Sequence, residues 1–293
     1  MMFEIGIRCG HLMTMKDGET TIARDRFIGI SGSKISEISQ WKNGDETRAR
    51  KFIDAGHKLV MPGLINGHTH LPMTLLRGLA EDQPFSEWLH KTILPIEGKL
   101  INPELVRIGS ELALLESLYS GVTTICDMYY FEDVVADTVE RAGMRGLVGE
   151  AIADFPTPDD KNLSGENYKT IERMIERFKG DERITVCVAP HAPYSCSDES
   201  LKKAAKMAQK NGLPILIHVL ESKHELDESM KTFGKTPVQR LYDLGVMDGP
   251  ASFAHCVWTS EEDMKLMAKK GTSAIYNPES NMNNAVGCAD VLG

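Results

Sequence analysis

No run of the 293 residues is apolar for long enough to cross a bilayer, and no basic block interrupts a composition with a formal net charge of -9. The first lack argues against a membrane-spanning helix. The second argues against a nucleic-acid backbone or an anionic membrane as the main partner, because both are held by clustered lysine and arginine. The start, MMFEIGIRCG, has no basic segment followed by a long apolar one, so no secretory leader is expected. Six cysteines (Cys9, Cys126, Cys187, Cys196, Cys256, Cys288) form no C-x-x-C pair and sit mostly inside apolar runs. They read as reduced, packed thiols of a cytoplasmic protein. Low-complexity stretches and short tandem repeats are also lacking. What is present is 42% hydrophobic residues, enough over this length to bury a large core. The expectation is a soluble protein acting on a small molecule.

The chain changes texture near residue 60. Before it, "FEIGIR", "RFIGISGSKISEI" and "KFIDA" are short alternating or β-branched runs broken by the turn clusters "KDGET" and "KNGDE". A small β-sandwich-like domain over residues 1–59 is expected, followed by a larger domain over 60–293. The larger part alternates strand-like and helical segments. Its strand-like runs are "VMPGLINGHTH", "VTTICDMYY", "RGLVGEAIAD", "RITVCVAPH", "PILIHVLES", "ASFAHCV" and "TSAIYNP". Among the helices, Asn102 caps and Pro103 opens a segment with an apolar stripe at Leu105, Ile108, Leu112, Leu115 and Tyr119, ended by Gly121. Thr259 with Glu262 reads as a capping box opening "EEDMKLMAKK", closed at Gly271.

Strand and helix in alternation mean a parallel sheet covered by helices. A doubly wound sheet and a (β/α)8 barrel both meet that description. No G-x-G-x-x-G follows the first strand, which weakens the dinucleotide-binding version. Five of nine histidines fall at the C-terminal ends of the strand-like runs: His68, His70, His191, His218 and His255. In a barrel those ends converge on one face, where catalytic groups gather. The other four, His11, His57, His90 and His224, are expected in loops or helices without a role.

His68 and His70, at i and i+2 of an extended strand, point the same way and can chelate. Three neutral imidazoles on one divalent ion, with a carboxylate and a water, make a hydrolytic site. His218 is the third candidate ligand, although a lone histidine in "PILIHVLES" can equally be a core residue bonded to a carbonyl. Glu221, just past the same strand, can shuttle a proton between the water and a substrate. His255 can orient the nucleophile or stabilise charge on it, or be a structural strand-end histidine. His191, in "APHAPYSCS", can be a substrate hydrogen bonder or a ligand. No lysine ends the fourth strand to bridge two ions, so one ion is expected.

The segments "PGLINGHTHLPMTLLRGLAEDQPFSEWL", "APHAPYSCS", "ILIHVLES", "AHCVW" and "YNPESNMNNAVG" resemble successive signatures of the metal-dependent amidohydrolase superfamily. Its 5'-methylthioadenosine/S-adenosylhomocysteine deaminase group is the most similar. The resemblance implies a TIM-type barrel with a small β domain, one zinc or iron ion, and hydrolytic loss of the 6-amino group of an adenosine derivative as ammonia. It implies His68, His70 and His218 as metal ligands, Glu221 as the acid serving the purine ring nitrogen, and His255 as the histidine near the attacked carbon. It also implies Glu97, in "ILPIEGKL", as the carboxylate that holds the ribose hydroxyls, His191 as a further substrate contact, and Arg145, in "GMRGL", as a partner for a homocysteine carboxylate.

Seven strand-helix units are counted, so an incomplete barrel is expected, with the eighth strand and its metal-binding aspartate lying beyond Gly293. Asp290, in "GCADVLG", falls before that strand and cannot replace the aspartate. The expectation is then an N-terminal fragment with impaired activity, whose unpaired strand edges invite association and leave room for a homo-oligomer. The alternatives are a sister hydrolase acting on guanine, cytosine or a chlorinated triazine, and a non-catalytic metal- or ligand-binding remnant.

Overall fold

A computed structural model describes residues 2–15, 18–80 and 83–291, so the first two residues of the expected "KDGET" turn lie outside the described residues. The chain forms two compact units that divide between Leu64 and Ile65. In the first, β1 (Phe3–Thr14), β2 (Thr21–Ser31), β3 (Lys34–Gln40) and β4 (Ala49–Val60) form one sheet in the order β3-β2-β1-β4. The β1–β2 and β2–β3 pairs are antiparallel and β1–β4 is parallel. Cys9, Leu12 and Ile28 form one buried cluster with Ile7, Ile30 and Val60 against it. Gly10 is required there, since a Cβ would lie 2.2 Å from the Gly56 carbonyl oxygen. His11 and His57 sit in β1 and β4, not in loops or helices as expected from the sequence.

The second unit opens with β5 (Leu64–Thr69) and a helical stretch made of α1 (Phe85–Glu87), a π-type turn over Trp88–Ile93, and α2 (Leu94–Leu100). Pro95 has no N–H to give to the preceding turn, and the widened turn before it accommodates that loss. The alternation then runs through α3 (Pro103–Tyr119), β6 (Val122–Tyr129), α4 (Glu132–Ala142), β7 (Arg145–Ile152), α5 (Glu166–Arg177), β8 (Ile184–Val186), β9 (Ala189–Pro190), α6 (Asp198–Asn211) and β10 (Ile215–Val219). It ends with α7 (Lys223–Phe233), α8 (Pro237–Asp243), β11 (Ala251–His255), α9 (Glu261–Lys270), β12 (Ser273–Ile275) and α10 (Pro278–Asn283). The sequence's fourth strand is thus split into β8 and β9. No helix among the described residues is long and apolar enough to cross a membrane.

The strands pair in chain order, β5-β6-β7-β8 and β10-β11-β12, with β9 on β7 and a parallel bridge from Val188 to Ile215 joining the two runs. β6, β7 and β8 are parallel, as are β10, β11 and β12. The sheet curls. One face packs under the helices through Ile125, Val148, Ile217 and Phe253. The other face brings Met128, Cys187, Ala189 and Leu216 together with Cys126, Leu147 and Ile275, side chains from β6, β7, β9, β10 and β12 and from Cys187 between β8 and β9. Gly149 faces this crowded interior, where a Cβ would lie 2.5 Å from the Cys187 sulfur.

Two local readings are corrected. Asn102 caps α3, accepting from the Glu104 and Leu105 amides, and Pro103 opens it. The packed face, however, is Val106, Gly109, Ser110, Ala113 and Leu114, while Ile108, Leu112, Leu115 and Tyr119 are exposed. Close approach explains it: a Cβ on Gly109 would lie 2.7 Å from the Pro72 carbonyl oxygen, so the tight side takes small residues. At α9 the cap is Ser260 with Asp263, one residue later than Thr259 with Glu262, because the Thr259 hydroxyl donates to the Cys256 carbonyl instead.

Candidate active site

Parallel strands deliver their C-terminal ends to one side, and the expected residues meet there. His68, His70, His191, His218, Glu221, His255 and Glu97 all line one cavity of about 540 Å³. Arg145 does not. It is the first residue of β7, exposed, and donates to the Glu182 carbonyl at 2.6 Å. The eight residues of β7 place it about 23 Å from the strand end that faces the cavity. A carboxylate partner in the site is therefore not Arg145, which lies at the opposite end of β7 from the cavity.

The imidazoles are held in defined tautomers. His70 donates through Nδ1 to the Met128 carbonyl at 2.5 Å, and His218 donates through Nδ1 to the His191 carbonyl at 2.6 Å. A carbonyl can only accept, so both Nε2 atoms carry lone pairs. Those Nε2 atoms face each other at 3.2 Å. The His68 ring stands 4.8 Å from His70 and 4.7 Å from His218, and its buried Nδ1 has no partner among the described residues. Ligand atoms of His68, His218 and His255 lie within 4.8 Å of one another. Facing lone pairs and an orphaned buried nitrogen are unfavourable alone and suit a shared cation. The 3.2 Å separation is what two nitrogens about 2.0–2.1 Å from one ion adopt near tetrahedral geometry. The residues present fit a divalent ion bound by nitrogen.

Burial sets the protonation states. It holds His68 and His218 well below the usual imidazole range, with neighbouring imidazoles pushing the same way. It lowers His70 against the opposing Asp127 charge, takes His191 to about 3 and His255 to about 4. All five are neutral near pH 7, as ligation requires. Glu221, on the loop after β10, is pushed up to about 8 by burial and the nearby Glu225, opposed by a hydrogen bond with Asn284. It is protonated near neutrality. Its Oε1 lies 3.7 Å from His255 Nδ1, which donates to Asn281 Oδ1 at 2.8 Å. His191 Nδ1 lies 2.8 Å from the Ser195 hydroxyl. Glu97, on α2 and only 3% exposed, accepts from the Tyr129 hydroxyl at 2.6 Å. Burial takes Glu97 to about 7 against that hydrogen bond.

Backbone strain collects at the same place. Leu220, His255 and Cys256 have φ of 54°, 77° and 50° at the ends of β10 and β11. Conformations of this kind cost of order 1–3 kcal/mol each and persist where the surroundings over-determine them. Here Val257 and Trp258 amides both donate to the Leu220 carbonyl.

Three partners escaped the sequence reading: Tyr129, Asn281 and Asn284. Tyr129 ends β6 as the histidines end their strands, and that position was the available signal. The asparagines lie in "YNPESNMNNAVG", read as a motif without roles. Asn281, fully buried on α10, was not separable by spacing from its exposed neighbours.

Residues 59–293 match the profile of the Amidohydrolase family. The chain is 40% identical over 282 residues to a 5-methylthioadenosine/S-adenosylhomocysteine deaminase of Thermoanaerobacter pseudethanolicus, covering 96% of this chain and 64% of that protein. It is 43% identical over 266 residues to the protein of the same name from Caldanaerobacter subterraneus subsp. tengcongensis, covering 90% and 60%. Among solved structures it resembles an adenosine deaminase from Xanthomonas campestris with bound zinc, with a TM-score of 0.92 and 31% identity, over 98% of this chain and 65% of that one. The chain thus spans less than two thirds of the length of these relatives. The match over 59–293 and the histidine-lined end of a parallel sheet agree: the chain belongs to the amidohydrolase family.

Proposed function

We propose that the chain carries the metal-binding and substrate-binding groups of a hydrolytic deaminase of adenosine derivatives, such as 5'-methylthioadenosine or S-adenosylhomocysteine, giving the inosine derivative and ammonia. The observation that carries the reading is one cavity in which neutral imidazoles with converging Nε2 atoms lie beside a protonated, buried Glu221. His68, His70 and His218 hold the ion; His255, tied to Asn281 and next to Glu221, is kept for the substrate. Zinc is the expected metal, as in the Xanthomonas campestris structure, with iron the alternative. A divalent ion there supplies Lewis-acid activation of water.

The chain's own residues do the rest. Glu221, protonated, gives its proton to the purine ring nitrogen and can recover one from the attacking water. His255, whose Nδ1 proton goes to Asn281, has its Nε2 lone pair free to accept a hydrogen bond from the water that attacks the carbon. Glu97 accepts the adjacent ribose hydroxyls while Tyr129 holds its other lone pairs in place, and His191 adds a substrate contact. The same reading takes the parallel strands as part of a (β/α)8 barrel, residues 1–59 as a small separate β domain, a small-molecule nucleoside as the partner, and the cytoplasm as the location. The unbonded state of all six thiols supports the last.

The test is ammonia release from S-adenosylhomocysteine, 5'-methylthioadenosine and adenosine with one equivalent of zinc. It is measured on this chain and on a version extended to the length of the relatives. Release from either supports the assignment. Silence of both, with zinc bound and guanine or a chlorinated triazine turned over instead, overturns it in favour of a sister hydrolase.

A further inference from the structure

Asp127 is a fully buried carboxylate in the wrong layer. Along β6, Cys126 and Met128 point into the curl of the sheet, so Ile125 and Asp127 point the other way, toward the apolar side chains under the helices. Among the described residues no lysine or arginine is bonded to it. Its Oδ1 instead accepts from the Thr69 hydroxyl at 2.5 Å and from the Leu71 amide at 2.7 Å. Thr69 lies between His68 and His70, and Leu71 follows His70.

The other oxygen has its own brace. Asp127 Oδ2 is buried beside the Glu132 carboxyl, which the Gly149 amide also faces. The two carboxyls face each other, with Glu132 held far above the usual carboxylate range by burial and by Asp127. Burial raises Asp127 as well, opposed by Glu132, the Thr69 hydroxyl and the Leu71 amide, and two neighbouring carboxyls favour sharing one proton, which leaves Asp127 Oδ1 to accept from Thr69 and Leu71. Glu132 is in turn fixed by its place as the first residue of α4, where its amide donates to Glu150 at 2.7 Å.

We propose that Asp127, braced by Glu132, is a positioning residue that grips Thr69 and Leu71 on the helix-facing side of the sheet and so aims His68 and His70 together on the opposite side. Alternation supplies the mechanism. In an extended strand Thr69 faces away from both histidines, so fixing its hydroxyl and the next amide sets the rotation of the strand end about its axis. Any slack there turns both imidazoles out of register with His218. The inference rests on the reading of those histidines as a metal site.

The experiment is competition for cobalt(II) and zinc(II) between the full chain and a chromophoric chelator, with folding followed by circular dichroism. Asp127→Ala is expected to weaken ion binding about 10- to 100-fold, the usual effect of losing an outer-shell support. Asp127→Asn, whose amide oxygen still accepts, regains most of that loss. Thr69→Val, which keeps the shape and removes the donor, weakens binding in the same direction, and Thr69→Ser restores it. A folded Asp127→Ala chain with wild-type ion affinity overturns the inference. Should Asp127→Ala fail to fold, Thr69→Val decides, and wild-type affinity in that variant overturns it equally. A wild-type chain that takes up neither ion overturns the metal reading itself, and this inference with it.

Discussion

The two ends of the parallel strands are built from the same backbone and differ in almost everything else. At the opening ends, Arg145 gives its guanidinium to a peptide carbonyl, Asp181 accepts from the Arg183 and Ile184 amides, and Lys270 pairs with Asp248 at 2.6 Å, all in contact with solvent. At the closing ends, imidazoles and carboxyls are buried, their proton affinities are displaced, and three residues hold left-handed backbone. The opening ends resemble ordinary surface. The closing ends carry desolvated polar groups that cost stability and are retained where chemistry needs them. The asymmetry teaches that strand direction, set by the strand-helix alternation, decides which polar residues can act.

The strongest way to break this contrast is at Glu221. Glu221→Gln cannot move a proton, and kcat for the adenosine derivative is expected to fall about 10²- to 10⁴-fold with KM little changed, measured by steady-state ammonia release. The direction of the pH effect follows from burial. A carboxyl raised to about 8 is protonated below that pH, so wild-type kcat/KM falls as pH rises through about 8. A profile flat to pH 9 counts against Glu221 as the acid.

A middle-sized effect is expected at Glu97. Removing a charged acceptor of hydrogen bonds costs about 1.5–3 kcal/mol, so Glu97→Ala raises KM for ribosides about 10- to 100-fold and leaves free bases unaffected. Wild-type riboside binding weakens as pH falls through about 7, where this carboxyl takes up its proton. An equal loss for ribosides and free bases would place Glu97 in a structural role with Tyr129.

The smallest effect sharpens the contrast from the other side. Arg145→Ala is expected to leave KM for S-adenosylhomocysteine within about twofold and stability within about 0.5 kcal/mol, as for other exposed substitutions. A large rise in that KM would mean that the opening end of β7 reaches the substrate.

Much was legible from local rules. The strand-like runs of the larger part became β5 to β12, and His68 with His70 lay where alternation put them. The Asn102 cap followed from the asparagine and the proline after it. Failures came where a partner elsewhere in the chain made the choice. The apolar stripe of α3 follows the helical period but loses its burial to the smaller residues that meet Pro72. Thr259 has the right chemistry for a cap and is engaged by the Cys256 carbonyl. Arg145 lies on the expected strand, and only the direction of β7 separates it from the cavity.

The sequence by itself determined the alternation, the strand ends and the kinds of groups gathered there, because period, capping and turn chemistry act over a few residues. Only the tertiary structure decided which nitrogen of each imidazole is free, that His70 and His218, 148 positions apart, face each other through Nε2, and that Asn281 holds His255. Those are distances across the fold, set by how the curled sheet and its helices pack. Side-chain spacing along a chain carries no term for them.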